Sequence, residues 1–127
     1  MKLLSIVLLV LLSSFTMKAQ TGKETSNSLR HVVLFKFTDK STTQEILKVE
    51  AAFRTLPGKI SLIKDFEWGI NTSPENLSQG MTHCFFVTFA TDSDRDAYLI
   101  HPEHQAFVKI LTPYLDKVLV IDYWAQR

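Results

Sequence analysis

Cysteine is nearly missing: of 127 residues only Cys84 is one, so neither an intrachain disulfide nor a cysteine-based metal cluster can form. The four glycines are scattered, which leaves no glycine-rich loop to cradle a phosphate, and neither serine nor Cys84 stands in a nucleophile-elbow context. Charge is balanced, with 14 Lys and Arg against 13 Asp and Glu, and the aromatics sit in apolar runs instead of alternating with basic residues. Nucleic acid is therefore not an expected partner. No HExxH pattern occurs. A metal site from His83, His101 and His104 is conceivable, but no carboxylate stands at an established ligand spacing, so neither metal nor cofactor is expected.

The longest apolar run, Leu3 to Leu12, follows Lys2 and is broken by Ser13 and Ser14. It is about half of the roughly 20 residues that a membrane span needs. With Ala19 before Gln20 it reads as a signal peptide over 1–19, cleaved after Ala19, although Met17 is large for the minus-three position. Localisation is then secreted or periplasmic, with no membrane anchor after cleavage. Residues 20–29 (QTGKETSNSL) are polar and aperiodic and read as a flexible lead, and 30–127 as one small domain.

Within that domain, Arg30 to Thr38 is β-branched and aromatic and reads as a strand with His31, Val33, Phe35 and Phe37 on one face. Thr42 with Glu45 makes a capping box, and Ile46, Val49, Phe53 and Leu56 recur at helical spacing until Pro57-Gly58, which is expected to stop the helix. A second strand is expected over Lys59–Trp68 and a third over Thr82–Phe89, the latter with His83, Phe85, Val87 and Phe89 on one face. Thr91 with Asp94 caps a short helix, Pro102 opens another, and Lys117 to Trp124 is a closing strand. This order predicts an α+β fold, a ferredoxin-like βαββαβ antiparallel sheet with its helices on one face. Three strands are apolar on both sides, as where Val118 and Val120 oppose Leu119 and Ile121. Helices can cover only one side, so a second copy of the chain is expected on the other, giving a homodimer.

Chemistry concentrates in Tyr98-Leu-Ile-His101-Pro-Glu-His104. His101 precedes a proline and suits the capping position, which puts His104 in the first helical turn. The positive end of the helix dipole there disfavours a charged imidazole, so His104 is the candidate base, with Glu103 pulling the other way. Tyr98 is near enough to act as its acid or hydrogen-bond partner. His31 and His83 fall on the helix-covered face, toward opposite ends of the sheet if the first and third strands are antiparallel neighbours.

The segments His31-Val-Val-Leu-Phe-Lys-Phe, Asp65-Phe-Glu-Trp68-Gly, Thr82-His83, Tyr98-x-x-His101-Pro-x-His104 and Asp122-Tyr123 together resemble the stress-responsive A/B barrel (Dabb) family, from Arg30 to Trp124. The resemblance implies a dimeric α/β barrel. It includes a plant polyketide cyclase that needs neither cofactor nor metal, in which the residues matching Tyr98 and His104 are the proposed acid/base pair. It implies further that His31 and His83 line that cavity, with Phe53, Phe66, Phe85, Val87, Val118 and Val120 in its apolar part. Glu50 falls where the cyclase has an aromatic residue. The function expected is a cofactor-independent cyclase, isomerase or lyase acting on a small carbonyl compound, or else non-enzymatic binding of an apolar ligand.

Overall fold

The computed structural model describes residues 27–126; the expected leader 1–19 and most of the lead lie outside the described residues. Strand β1 (Leu29–Phe37) leads into helix α1 (Thr43–Lys59), followed by β2 (Asp65–Ile70) and β3 (His83–Phe89). Two short helices, α2 (Asp92–Leu99) and α3 (Pro102–Leu111), and a 3-10 turn at Thr112–Tyr114 then return the chain to β4 (Leu115–Trp124). The sheet order is β2-β3-β1-β4 with every pair antiparallel, the ferredoxin-like arrangement that the element order predicts. Leu29, assigned from sequence to the lead, is already strand and buried. No helix among the described residues is long and apolar enough to cross a membrane.

Local chemistry accounts for the helix starts. Thr42 accepts from the Glu45 amide while the Glu45 carboxylate takes the Thr42 amide, so the capping box is complete. Thr91 accepts from Asp94, and His101 uses Nδ1 to accept from the Glu103 amide at 3.1 Å. One stop differs from expectation. α1 runs through Pro57-Gly58 to Lys59, and the Ile60 amide still closes on the Leu56 carbonyl at 2.8 Å. A proline in the last turn forfeits one hydrogen bond without preventing that closure. The second strand consequently starts later than the expected Lys59: Ile60 caps the helix, Leu62 lies in a turn, and the ladder begins where the Lys64 amide reaches the Thr88 carbonyl.

Strand alternation decides what lies under the helices. The odd positions of β1, from Leu29 to Phe37, are all buried and the even ones half-buried. Phe53 stacks on Phe85 at 4.2 Å and meets Phe107 at 4.5 Å, so α1, α3 and β3 share one aromatic core. Each fully buried Phe or Leu there contributes roughly 1.5–3 kcal/mol of apolar burial. β4 is the exception. It is an edge strand that the helices leave uncovered, so Val118 and Val120 on the helix side and Leu119 and Ile121 on the other are all 44–50% exposed.

Candidate active site

The α2–α3 junction stands over the β1–β4 end of the sheet. Tyr98, on the last turn of α2, is fully buried, and its ring lies 4.4 Å from that of His104 and 5.8 Å from that of His31. Its hydroxyl is enclosed without a hydrogen-bond partner among the described residues. An unpaired buried hydroxyl costs on the order of 1–3 kcal/mol, so a group held this way invites a functional explanation. Burial also pushes the phenol well above its ordinary range, which keeps the O–H as a donor.

His104, third in α3, donates from Nδ1 to the Leu99 carbonyl at 3.0 Å. A carbonyl can only accept, so the neutral ring carries its proton on Nδ1 and keeps a lone pair on Nε2. Desolvation lowers the His104 pKa below its ordinary 6.5, and charge repulsion from His31 and His101 acts the same way, against the Leu99 bond. Burial thus acts in the same direction as the helix start argued from sequence. Glu103, expected to oppose it, turns instead to the Lys59 ammonium at 3.0 Å.

His31 is buried on β1 directly across from Asp122 on β4. Its Nδ1 donates to Asp122 Oδ1 at 2.6 Å, and Asp122 Oδ2 accepts from Arg95 Nη1 at 2.7 Å. With Nδ1 committed, Nε2 is the nitrogen left for an occupant of the site.

These groups border a cavity of about 300 Å³ whose remaining wall is mostly apolar and includes Val33, Phe35, Phe53, Phe107, Leu111, Val118 and Val120. Of the residues named from sequence, it therefore gathers His104, Tyr98, His31, Phe53, Val118 and Val120. His83, Phe66, Phe85 and Val87 lie outside this lining. Phe85 and Val87 are completely buried beneath the packed helices and offer no free surface, and Phe66 belongs to β2 at the far edge of the sheet. His83 pairs with Phe35 in the register where His31 pairs with Val87, so antiparallel geometry sends the two histidines to opposite ends.

At its own end His83 is fully engaged. Nε2 donates to Glu50 Oε1 at 2.9 Å, Nδ1 lies 2.8 Å from the Thr82 hydroxyl, and Trp68 stacks over the ring at 6.3 Å. Glu50 therefore does not face this cavity; it partners a buried imidazole. His83, His101 and His104 are not brought together, and no group of three or more His, Cys, Asp or Glu among the described residues could hold a metal ion.

Sequence reasoning named Asp122 only within a motif and passed over Arg95. The available signal was a lone carboxylate on the inward parity of an apolar strand, which needs a partner when covered.

Comparison with known proteins agrees with this architecture. The model of the stress responsive A/B barrel domain matches residues 29–125. The stress-response A/B barrel domain-containing protein HS1 of Arabidopsis thaliana is 39% identical over 101 residues, covering 80% of this chain and 93% of that protein. Olivetolic acid cyclase of Cannabis sativa is 29% identical over 100 residues, covering 79% of this chain and 99% of the cyclase. A solved dimeric protein of ferredoxin-like fold from Bacteroides fragilis superposes with a TM-score of 0.64 at 32% identity, covering 77% of this chain and 96% of that one. With the family model spanning the whole folded region, the chain belongs to the stress responsive A/B barrel (Dabb) family.

Proposed function

We propose that this protein is a cofactor-independent enzyme of the cyclase, isomerase or lyase kind, acting on a small carbonyl compound with an apolar body. The observation that carries the reading is the Tyr98 hydroxyl, buried and unpaired beside His104 and His31 at the polar end of an apolar cavity. Similarity to a named cyclase over nearly that enzyme's whole length supports it. His104 Nε2 takes a proton from the carbon next to the carbonyl. Tyr98 donates a hydrogen bond to the oxygen that gains the charge. The proton then returns from His104 to the product, on carbon in an isomerisation or on the new alkoxide after ring closure, so nothing is oxidised or reduced.

The same proposal includes a homodimer and export. β4, apolar and half-exposed on both faces, is a surface that a second copy would cover, and dimeric relatives of this fold support that choice. Light scattering should give twice the chain mass; a stable monomer at micromolar concentration removes the dimer. Export rests on the leader-like residues 1–19, and an intact mass of envelope material still beginning at Met1 would refute it.

The catalytic reading is tested by solvent deuterium exchange into the alpha positions of small ketones with alkyl tails, followed by NMR. The wild-type protein should accelerate exchange, and His104→Ala and Tyr98→Phe should each abolish most of the acceleration. If ketones bind with wild-type exchange no faster than in buffer, and both variants bind within a few fold of wild type, the protein is a carrier and not an enzyme.

A further inference from the structure

The Asp122 side chain is 28% exposed and borders the cavity, where a carboxylate with one partner would sample several rotamers. It is not left to do so. Arg95 of α2, itself only 18% exposed, bonds Asp122 through Nη1 at 2.7 Å and Asp96 through Nε at 2.8 Å, and faces Asp92 at 3.6 Å. One guanidinium thus gathers three carboxylates, one of which holds His31.

We infer that Arg95 is a positioning residue: through Asp122 it fixes the His31 ring with Nδ1 outward and Nε2 free for the cavity, making His31 the second proton-handling group of the site. The planar fork of arginine suits this, because separate N–H groups reach separate acceptors and lock their directions together. Removing the cation takes away the only partner of Asp122 Oδ2 among the described residues and leaves Asp92, Asp96 and Asp122 as uncompensated like charges, so the Asp122 carboxylate is no longer fixed in the rotamer that meets His31. The two imidazoles then differ in what holds them. The main chain orients His104, whereas His31 depends on a side-chain relay three groups long.

The role of His31 in catalysis rests on the function proposed above, but the relay is measurable without any substrate. In ¹⁵N-labelled protein, the His31 Nδ1 proton should be visible and slow to exchange with water. Arg95→Gln should speed that exchange at least ten-fold and average the two ring nitrogens, and Arg95→Lys should restore part of the protection. The His83 ring, at the other end of the sheet, should keep its wild-type signals. Unchanged His31 signals in Arg95→Gln overturn the inference. So does a parallel change at His83, because Arg95 would then be acting on the fold as a whole. If Arg95→Gln loosens His31 while ketone exchange is absent even in wild type, the relay stands and the enzymatic reading alone fails.

Discussion

The helix–sheet interface carries an imidazole and a carboxylate at each end, and the two ends are completed differently. At the β2–β3 end, His83 has both ring nitrogens occupied, by Glu50 and Thr82, and the Trp68 and Phe37 rings close around it. At the β1–β4 end, His31 has a carboxylate on one side only, and the neighbouring Tyr98 hydroxyl has no partner among the described residues. The cause is what lies overhead. α1 lowers Glu50 onto His83 and completes the pair, while the α2–α3 junction brings a phenol and a second imidazole that stop short of closing on His31. Whether a buried histidine keeps a free ring nitrogen thus depends on whether the element above it supplies the last hydrogen bond.

The largest expected effect separates the ends by activity. His104→Ala and Tyr98→Phe should each lower alpha-proton exchange by about 10²- to 10⁴-fold, the usual contribution of one positioned acid or base. Glu50→Ala should leave that rate within a few fold once folding is confirmed, and a loss comparable to that of His104→Ala would break the comparison. Second, the same Glu50→Ala leaves His83 buried without its carboxylate and should cost about 3 kcal/mol in urea unfolding, the range for breaking a buried pair.

Third, Tyr98→Phe removes a hydroxyl that bonds nothing among the described residues, so unfolding free energy should stay level or rise by about 1 kcal/mol even as activity falls. A clear loss of stability would mean that the hydroxyl is satisfied and the two ends are alike. The smallest effect is in pH. Because the folded state holds the His104 pKa below 6.5, the unfolded chain binds more protons between the two values. The His104 contribution is therefore complete above about pH 6.5 and lost as pH falls through the lowered value. Melting curves across that window should flatten in His104→Gln relative to wild type.

Where one short stretch of chain sets the outcome, the sequence was readable. Thr42 with Glu45, Thr91 with Asp94 and His101 before Pro102 each cap a helix through residues two or three apart, and strand parity put His31 and His83 under the helices at opposite ends. The expectations that failed involve competition or distance. Ile60 and Leu62 alternate like strand residues, yet α1 outlasts Pro57 and takes Ile60 as its cap. His31 and Asp122 meet only through the β1–β4 register, 91 residues apart, and Arg95 joins them from a helix between. Glu50 could have been found. It lies four residues after Ile46 on the apolar stripe of α1, and a carboxylate there together with an imidazole on an apolar strand calls for pairing the two.

The Leu99 carbonyl, which receives both His104 Nδ1 and the Gln105 side-chain amide, has a consequence for how this site can change over time. Every amino acid brings the same carbonyl, so replacing Leu99 leaves the proton of His104 on the same nitrogen. Inserting or deleting one residue between 99 and 104 would turn the ring away and reset it. The orientation of the proposed base is thus encoded by a count of residues more than by their identity, and loop length in this turn is the trait on which that orientation depends.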